Sequence, residues 1–310
     1  MNTNASSTVL LVGSTGLLGR EVAKRLRATG SHVRALVRET ADPAKLDELR
    51  DLGLEVVFGD LKNPNSLAAA CSAASVVIST ATATTSRQAG DSIESVDRHG
   101  TLALVDAASD AGVGSFVFVS MFATPFDFEL QRAKRAVEQR LVNSKLDFSI
   151  LQPAKFMEVW LGKALGFDPV GGAVQILGDG NQAVSWISYV DVARIAVACA
   201  TGGEAARRVI PLGGPDALTQ LEVLQIFEEV GSPAAVPTFV SEVALMSALT
   251  SANDSLAEAY AALMLAGARG EIVPSGDAAA LTPGRMITVR DYARTMIAMS
   301  QNSTKGSGDV

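Results

Sequence analysis

The amino-acid sequence predicts an α/β fold built on a doubly wound parallel sheet, and two regularities of its first half carry this prediction. Short apolar runs rich in β-branched residues recur along the chain, and a segment with helical spacing of its apolar residues follows each of them. Continuous apolar strands are typical of a sheet that is buried on both faces. Helices between parallel strands provide the crossovers that cover those faces.

Six runs match the strand pattern, and five helical segments lie between them. The predicted strands are TVLLV (8–12), HVRALV (32–37), EVVF (55–58), SVVIST (75–80), SFVFVS (115–120) and FSILQ (148–152). The predicted helices lie near residues 17–29, 44–52, 65–72, 92–111 and 129–144. These elements define a first domain, residues 1–153.

The pattern changes after residue 153. A smaller, mostly helical C-terminal region is expected over residues 154–300, and its strand patterns are too few to form a sheet of its own. Within it, residues 189–214 match a helix and a strand that pack back on the first sheet, and residues 241–268 match a long helical segment. Residues 301–310 are polar and are expected to be a disordered tail. The crevice between the two regions is the expected substrate site.

The composition excludes several classes of function. The chain has 310 residues and a net charge of −7, and no cluster of Lys or Arg provides the basic face of a nucleic-acid binder. No apolar run is long enough to span a membrane, and the polar start is unlike a secretory signal, so we expect a cytoplasmic protein. Two His and two Cys without metal-binding spacing predict no metal site. Cys71 and Cys199 are expected to be buried, inert thiols.

A glycine-rich turn joins the first predicted strand to the first predicted helix, in the pattern G-x-x-G-x-x-G. In a Rossmann-type domain these glycines permit a tight turn, the approach of a pyrophosphate and close packing of helix on sheet. Backbone amides and the helix dipole then hold the phosphates. The residues expected to contact a dinucleotide here are Gly13, Ser14, Thr15, Gly16, Leu17, Leu18 and Gly19. The alternative is a glycine-rich turn without a ligand.

The end of the second strand indicates which dinucleotide would bind. An NAD site usually has an acidic residue at this point, whereas HVRALVRET has Arg38. Arginine can pair with a 2′-phosphate that a carboxylate would repel, so NADP(H) is the expected cofactor. Arg34 is a less well-placed helper. The alternative is an exposed arginine at a strand end.

Further motifs, taken together, resemble one family. VGSTGLLG (12–19), ALVR (35–38), GDL (59–61), STATA (79–83) and LDFSILQPAKFME (146–158) resemble motifs of atypical short-chain dehydrogenases/reductases of the NmrA-like or isoflavone-reductase-like kind, over residues 8 to about 230. This resemblance implies that Asp60 and Leu61 meet the adenine and that the loop after the fourth strand passes along the cofactor. The residues it implies for the remaining cofactor contacts are Thr80, Ala81, Thr82, Lys134, Pro153 and Phe156.

The sequence departs from the family at the expected catalytic residues. Classical members have a serine followed by Tyr-x-x-x-Lys, and the corresponding positions are Ser120, Leu130 and Lys134. The resemblance implies that the lysine binds the nicotinamide ribose and that the serine orients a substrate carbonyl, but the tyrosine is absent. The alternatives are a solvated Lys134 on a helix surface and a Ser120 that satisfies loop amides.

The missing tyrosine changes the expected chemistry. Hydride transfer to a simple ketone creates a basic alkoxide that needs a nearby acid, whereas a quinone-like or conjugated acceptor spreads the charge. We therefore expect an NADPH-dependent reductase of small aromatic, quinone-like or conjugated acceptors. The apolar segment 235–285 is consistent with an apolar or aromatic substrate. Two alternatives are an NADP(H)-binding redox-sensing regulator or assembly factor, and an isomerase, epimerase or lyase that uses bound NADP(H) transiently. A homodimer is a further open expectation.

Overall fold

A computed structural model describes residues 7–85, 88–202 and 206–306, with side chains described up to residue 302. Seven strands form the central sheet. They are β1 (Thr8–Val12), β2 (His32–Val37), β3 (Glu55–Phe58), β4 (Val76–Ser79), β5 (Ser115–Val119), β6 (Asp147–Pro153) and β11 (Arg208–Leu212). Their order across the sheet is β11-β6-β5-β4-β1-β2-β3, and every neighbouring pair is parallel. The predicted fold class and its six strands are therefore confirmed.

Strand order determines where a ligand can bind. The chain runs from β1 outward to β3 and then returns to β4 on the other side of β1, so the order reverses between β1 and β4. The helices that start from these two strands lie on opposite faces, which leaves a crevice outside their carboxyl ends. The seventh strand, β11, follows a helix at residues 189–202 and extends the same sheet beyond β6.

Helices cover both faces of the sheet because each presents one apolar stripe to it. They are α1 (Leu17–Ala28), α2 (Pro43–Asp51), α3 (Pro64–Cys71), α4 (Thr101–Asp110), α5 (Glu129–Val142) and α7 (Tyr189–Gly202). Buried residues of α1, α2 and α7 form the core on one face, and those of α3, α4 and α5 form the core on the other. Cys71 and Cys199 lie in these two cores, where burial raises the pKa of each thiol to about 11. Both thiols are buried, as expected.

The segment predicted as one helix over 92–111 has two parts. Residues Ile93–Gly100 form a π-helical segment that continues into α4. Ser92 and Ser95 form a capping box at its start, with Ser95 N donating to Ser92 Oγ at 3.0 Å. Helical turns of this wider kind are rare and occur often at functional sites.

The C-terminal region contains more β-structure than the sequence predicts. Its helices are α6 (Met157–Trp160), α8 (Gln220–Glu229), α9 (Glu242–Thr250), α10 (Ser255–Arg269), α11 (Gly276–Leu281) and α12 (Val289–Gly306), with a short 3₁₀ turn at Lys163–Leu165. The remaining strands are β7 (Lys155–Phe156), β8 (Phe167–Asp168), β9 (Ala173–Leu177), β10 (Ala183–Ile187), β12 (Ala217–Thr219) and β13 (Thr238–Val240). They form two three-stranded sheets, β12-β10-β7 and β13-β9-β8.

The expectation that this region has no sheet of its own is therefore wrong. Four of these six strands have only two or three residues, which is too short for an alternating pattern that could be recognised in the sequence. The helical segment expected over 241–268 consists of two helices, α9 and α10. Asp254, the residue before α10, accepts hydrogen bonds from the backbone N–H groups of Leu256 and Ala257 and so caps the start of that helix. Helix α12 extends to Gly306, into the segment expected to be disordered, and residues 307–310 lie outside the described part of the chain.

A partly buried carboxyl group joins α6 to the start of α7. Glu158 of α6 accepts hydrogen bonds from the Ser188 hydroxyl and, at 3.1 Å, from the backbone N–H of Tyr189 at the start of α7. Burial raises the pKa of Glu158 above its ordinary range, against the lowering effect of these hydrogen bonds. Of the helices in the described ranges, none is long and apolar enough to cross a bilayer.

Candidate functional site

A cleft of about 650 Å³ lies at the carboxyl ends of the central strands. Residues that end or follow β1, β2, β4, β5 and β6 line its floor, and Ala259, Tyr260 and Leu263 of α10 line it from the C-terminal region. The sequence-predicted residues that line this cleft are Gly13, Thr15, Gly16, Leu17, Leu18, Gly19, Arg38, Asp60, Leu61, Thr80, Ala81, Thr82, Ser120, Lys134, Pro153 and Phe156. The fold thus gathers residues from seven separate segments of the sequence into one space.

Two glycines of the loop have no room for a side chain. Gly13 has a φ of +86°, and a Cβ atom there would lie 2.6 Å from the Thr80 hydroxyl oxygen. A Cβ atom on Gly19 would lie 2.1 Å from the carbonyl oxygen of Gly13. The tight turn therefore brings α1 directly against the end of β1. Gly16 at the N-cap of α1 provides no capping side chain, so the first amides of the helix are available to a phosphate.

Ser14 differs from the other residues predicted for this loop. It is fully buried and does not line the cleft. Its hydroxyl has no hydrogen-bond partner within the described part of the chain. The sequence pattern could not distinguish it from its neighbours, because in a turn this tight successive side chains face different surroundings.

Arg38 lies in the cleft within a small network of charges. Its guanidinium is paired with the carboxylate of Asp91, which also accepts from Lys62 Nζ at 2.6 Å. Arg34 does not reach this network: it donates to Glu55 at 3.2 Å and to the carbonyl oxygen of Ala70 at 2.7 Å. The expectation that Arg34 helps Arg38 is wrong, because Arg34 lies in the middle of β2 and not at its carboxyl end.

Lys134 is buried, which contradicts the alternative of a solvated cation on a helix surface. Only 5% of the residue is exposed, and its Nζ lies 3.0 Å from Oδ1 of Asp97, a fully buried residue of the π-helical segment. The other carboxylate oxygen of Asp97 accepts from the backbone N–H of Ala83 at 2.9 Å. Nζ also lies 5.2 Å from the centroid of the Phe118 ring. Asp97 thus connects Lys134 of α5 to the loop after β4.

Ser120 and Leu130 stand at the positions that correspond to the catalytic serine and tyrosine of classical members of the family. Ser120 is buried at the end of β5, and its hydroxyl has no partner among the side chains and backbone groups that the structure describes. Leu130 lines the cleft but packs in an apolar cluster with Phe128 and Ala259. Tyr260 lines the same cleft from α10 and donates to the Thr84 carbonyl oxygen at 3.4 Å. The C-terminal region thus brings a tyrosine into the cleft without the Tyr-x-x-x-Lys spacing.

A second buried lysine lies in the cleft. Lys155, in β7, is 5% exposed and donates from Nζ to Glu271 at 3.3 Å. Its Nζ also lies 5.0 Å from the centroid of the Trp160 ring. Burial lowers the pKa of Lys155 below its usual range, and the neighbouring Glu271 carboxylate opposes this shift.

Sequence reasoning missed several residues of the site, among them Asp91, Asp97, Lys62, Lys155 and Tyr260. One signal was present for Asp97, because it shares an i, i+3, i+4, i+7 face with Ile93, Val96 and Gly100 and is the acidic residue on that apolar face. Lys155 stands directly after the end of β6, where ligands bind in open α/β sheets. The positions of Lys62 and Tyr260 depend on tertiary packing, which no local pattern reveals.

A family model agrees with this geometry. The model, described as NAD(P)H-binding, matches residues 13–202, which is more than half of the chain. The chain belongs to the NAD(P)H-binding family. The expected resemblance is confirmed for the fold, because the solved structure of an isoflavone reductase matches with a TM-score of 0.74 at 21% identity, covering 94% of this chain and 100% of that chain. The glycine loop without space for Cβ atoms, the free first amides of α1 and the volume of the cleft fit a dinucleotide.

Similar proteins include both enzymes and assembly factors. The chain is 32% identical to photosystem II assembly factor Ycf39 of Synechocystis sp., over 72% of this chain and 67% of that protein. It is 31% identical to the NAD(P)H azoreductase of Xenophilus azovorans, over 69% of this chain and 71% of that protein. The structure of an Escherichia coli NADPH-dependent quinone oxidoreductase in complex with NADPH has the same fold, with a TM-score of 0.74 at 22% identity, covering 94% and 99% of the two chains.

Proposed function

We propose that this NAD(P)H-binding protein is an NADPH-dependent reductase of small aromatic, quinone-like or conjugated acceptors. The observation that carries the proposal is the combination of Lys134 and Ser120 in the cleft with an apolar Leu130 where related enzymes have a tyrosine. The azoreductase and the quinone oxidoreductase among the similar proteins support an acceptor of this class.

NADPH, when bound, supplies the hydride. The residues of the chain then need only to orient the acceptor and to stabilise charge, because a conjugated system delocalises the incoming electrons. The Ser120 hydroxyl, which has no partner among the described residues, is available to donate to an acceptor oxygen. The ammonium of Lys134 is held in a fixed position by Asp97, so its remaining N–H donors have a fixed direction. Positioned dipoles and charges of this kind act strongly where water is excluded.

The preference for NADPH over NADH is part of the proposal. Arg38 at the end of β2 and the neighbouring Lys62 offer hydrogen-bond donors to a 2′-phosphate. Asp91, which both cations share, orients them toward one another. The quinone oxidoreductase of the same fold was solved with NADPH, which supports the same cofactor here.

The test is NADPH oxidation, followed at 340 nm, with a quinone, an azo dye and a simple ketone as acceptors. We expect turnover with the first two and none with the simple ketone, because an alkoxide product needs a stronger acid than this cleft provides. Faster reduction of the simple ketone than of the quinone would refute the proposed acceptor class. NADPH binding without turnover of any acceptor would refute the reductase.

A second candidate is an assembly factor that uses the dinucleotide site as a redox switch, and the similarity to Ycf39 favours it. This function requires a protein partner whose affinity differs between the NADP⁺ and NADPH forms. It also requires that Lys134→Ala leaves this difference intact. Pull-down from a cell extract at saturating NADP⁺ or NADPH, with the two eluates compared by mass spectrometry, distinguishes the two functions. A homodimer and a cytoplasmic location stay predictions.

A further inference from the structure

Lys155 occupies a part of the cleft that the proposed cofactor contacts do not use. It follows β6 by two residues, and its backbone pairs with Trp186 in the small sheet β12-β10-β7. Its side chain lines the main cleft and also a small cavity of about 20 Å³, together with Trp160, Phe167 and Met264. Lys155 thus lies where the cleft meets the core of the C-terminal region.

The ammonium group of Lys155 has spare hydrogen-bonding capacity. A lysine ammonium has three N–H donors. Among the described residues one acceptor, Oε2 of Glu271, takes a hydrogen bond from it, and the Trp160 ring covers another side. A buried donor without an acceptor is costly, so a ligand oxygen in the cleft would be stabilised there.

The charge of Lys155 is already balanced. Glu271 is itself largely buried, with 10% of its side chain exposed, and lies 3.3 Å from the ammonium. A second carboxylate at this point would be attracted by one partner and repelled by the other. A neutral carbonyl oxygen, in contrast, can accept a hydrogen bond from the ammonium without meeting this repulsion. The pair therefore favours an uncharged oxygen over an anionic one.

We propose that Lys155 is a specificity residue that binds the neutral carbonyl oxygen of an aromatic acceptor, with Trp160 beside the acceptor ring and Glu271 as the residue that positions the ammonium. This inference rests on the proposed reductase and specifies its substrate: an uncharged quinone-like or other conjugated carbonyl compound in preference to an aromatic acid.

The test measures binding of chromone, a neutral aromatic carbonyl compound, and of chromone-2-carboxylate by isothermal titration calorimetry. Both titrations use the protein saturated with NADP⁺, so that no reduction can occur. Wild-type protein is expected to bind chromone at least tenfold more tightly than the acid. Lys155→Met is expected to weaken chromone binding about 10- to 100-fold, as the loss of a hydrogen bond to a charged donor does.

Glu271→Gln is the second variant, because it leaves Lys155 in place and removes only the balancing charge. This variant is expected to bind chromone-2-carboxylate about tenfold more tightly and thereby to reduce or reverse the preference for chromone. If the ion pair were merely structural, its loss would not change this preference. Lys163→Met, at a lysine whose side chain is 88% exposed on a neighbouring turn, is the matched control and should bind both compounds like the wild type.

Unchanged chromone affinity in a folded Lys155→Met protein, or an unchanged preference in Glu271→Gln, overturns the inference. These outcomes are distinguishable from failure of the proposed function. Chromone binding that depends on Lys155, without NADPH oxidation by any acceptor, would refute the reductase and retain the binding site. Turnover of quinones, together with a chromone affinity that does not depend on Lys155, would retain the reductase and refute the binding site.

Discussion

The buried pair of Lys134 and Asp97 permits a quantitative prediction. Removing either partner alone, by Lys134→Met or Asp97→Asn, should destabilise the protein strongly, because the other partner remains in a buried site. Removing both should cost much less than the sum of the two single changes, because no uncompensated charge is left. A double-mutant cycle of these variants measures the difference.

The magnitude follows from the geometry. At 3.0 Å and an effective dielectric constant of about 20, two unit charges attract by about 5.5 kcal/mol. Desolvation of two buried groups offsets much of this attraction, and loss of one partner from a buried pair costs about 3–5 kcal/mol. Because the double variant is spared this cost, we expect a coupling free energy of at least about 2 kcal/mol.

The assay is urea unfolding of the wild type, the two single variants and the double variant, followed by circular dichroism. The matched control is a cycle on Arg140 and Asp106, an ion pair whose side chains are about half exposed. Its coupling should stay below about 1 kcal/mol, as for other surface pairs. A Lys134–Asp97 coupling no larger than that of the control would refute the reasoning that burial makes this pair important.

Three further predictions concern the cleft and its support. Tyr260→Phe should lower the rate of quinone reduction less than threefold, because a required general acid would contribute about 10² to 10⁴-fold; steady-state kinetics will measure this. Arg38→Ala should raise the KM for NADPH at least tenfold and leave that for NADH almost unchanged, and equal effects on both would exclude a contact with the 2′-phosphate. Burial raises the pKa of Glu158 above its ordinary 4.5, so the folded state keeps this proton at a pH where the unfolded chain has lost it. The stability of the wild type relative to Glu158→Gln should therefore increase as the pH falls toward 4.5, as urea unfolding at several pH values can establish.

The central sheet was predictable from sequence because its strands are buried on both faces. The run VLLV (9–12) in β1 has no polar position, so its burial is evident without knowledge of its neighbours. The two small sheets were not predictable for the opposite reason. β8 has two residues, Phe167 and Asp168, and its pairing depends entirely on β9, which is antiparallel to it.

Some residues of the candidate site were likewise predictable from sequence, and others were not. Gly13, Gly19 and Arg38 belong to local patterns whose function depends on their position at the end of a strand, and such patterns can be recognised in one sequence. Asp97 contacts Lys134, and Tyr260 lines the cleft, through packing between elements far apart in the chain. The burial of Lys134 also depends on such a contact, with Asp97. Without knowledge of this partner, the basic helical turn that contains Lys134 has the sequence pattern of a solvated surface.

The position of β11 has a consequence for attempts to divide the chain. This strand covers the edge of β6, although 54 residues lie between Pro153 at the end of β6 and Arg208 at the start of β11. A fragment ending at residue 153 would leave β6 with a row of unpaired backbone groups, which promotes association with other chains. In the intact protein β11 forms the outer edge instead, where Pro211 removes one donor and α11 packs against the strand. The first 153 residues therefore depend on the C-terminal region to cover the edge of their sheet.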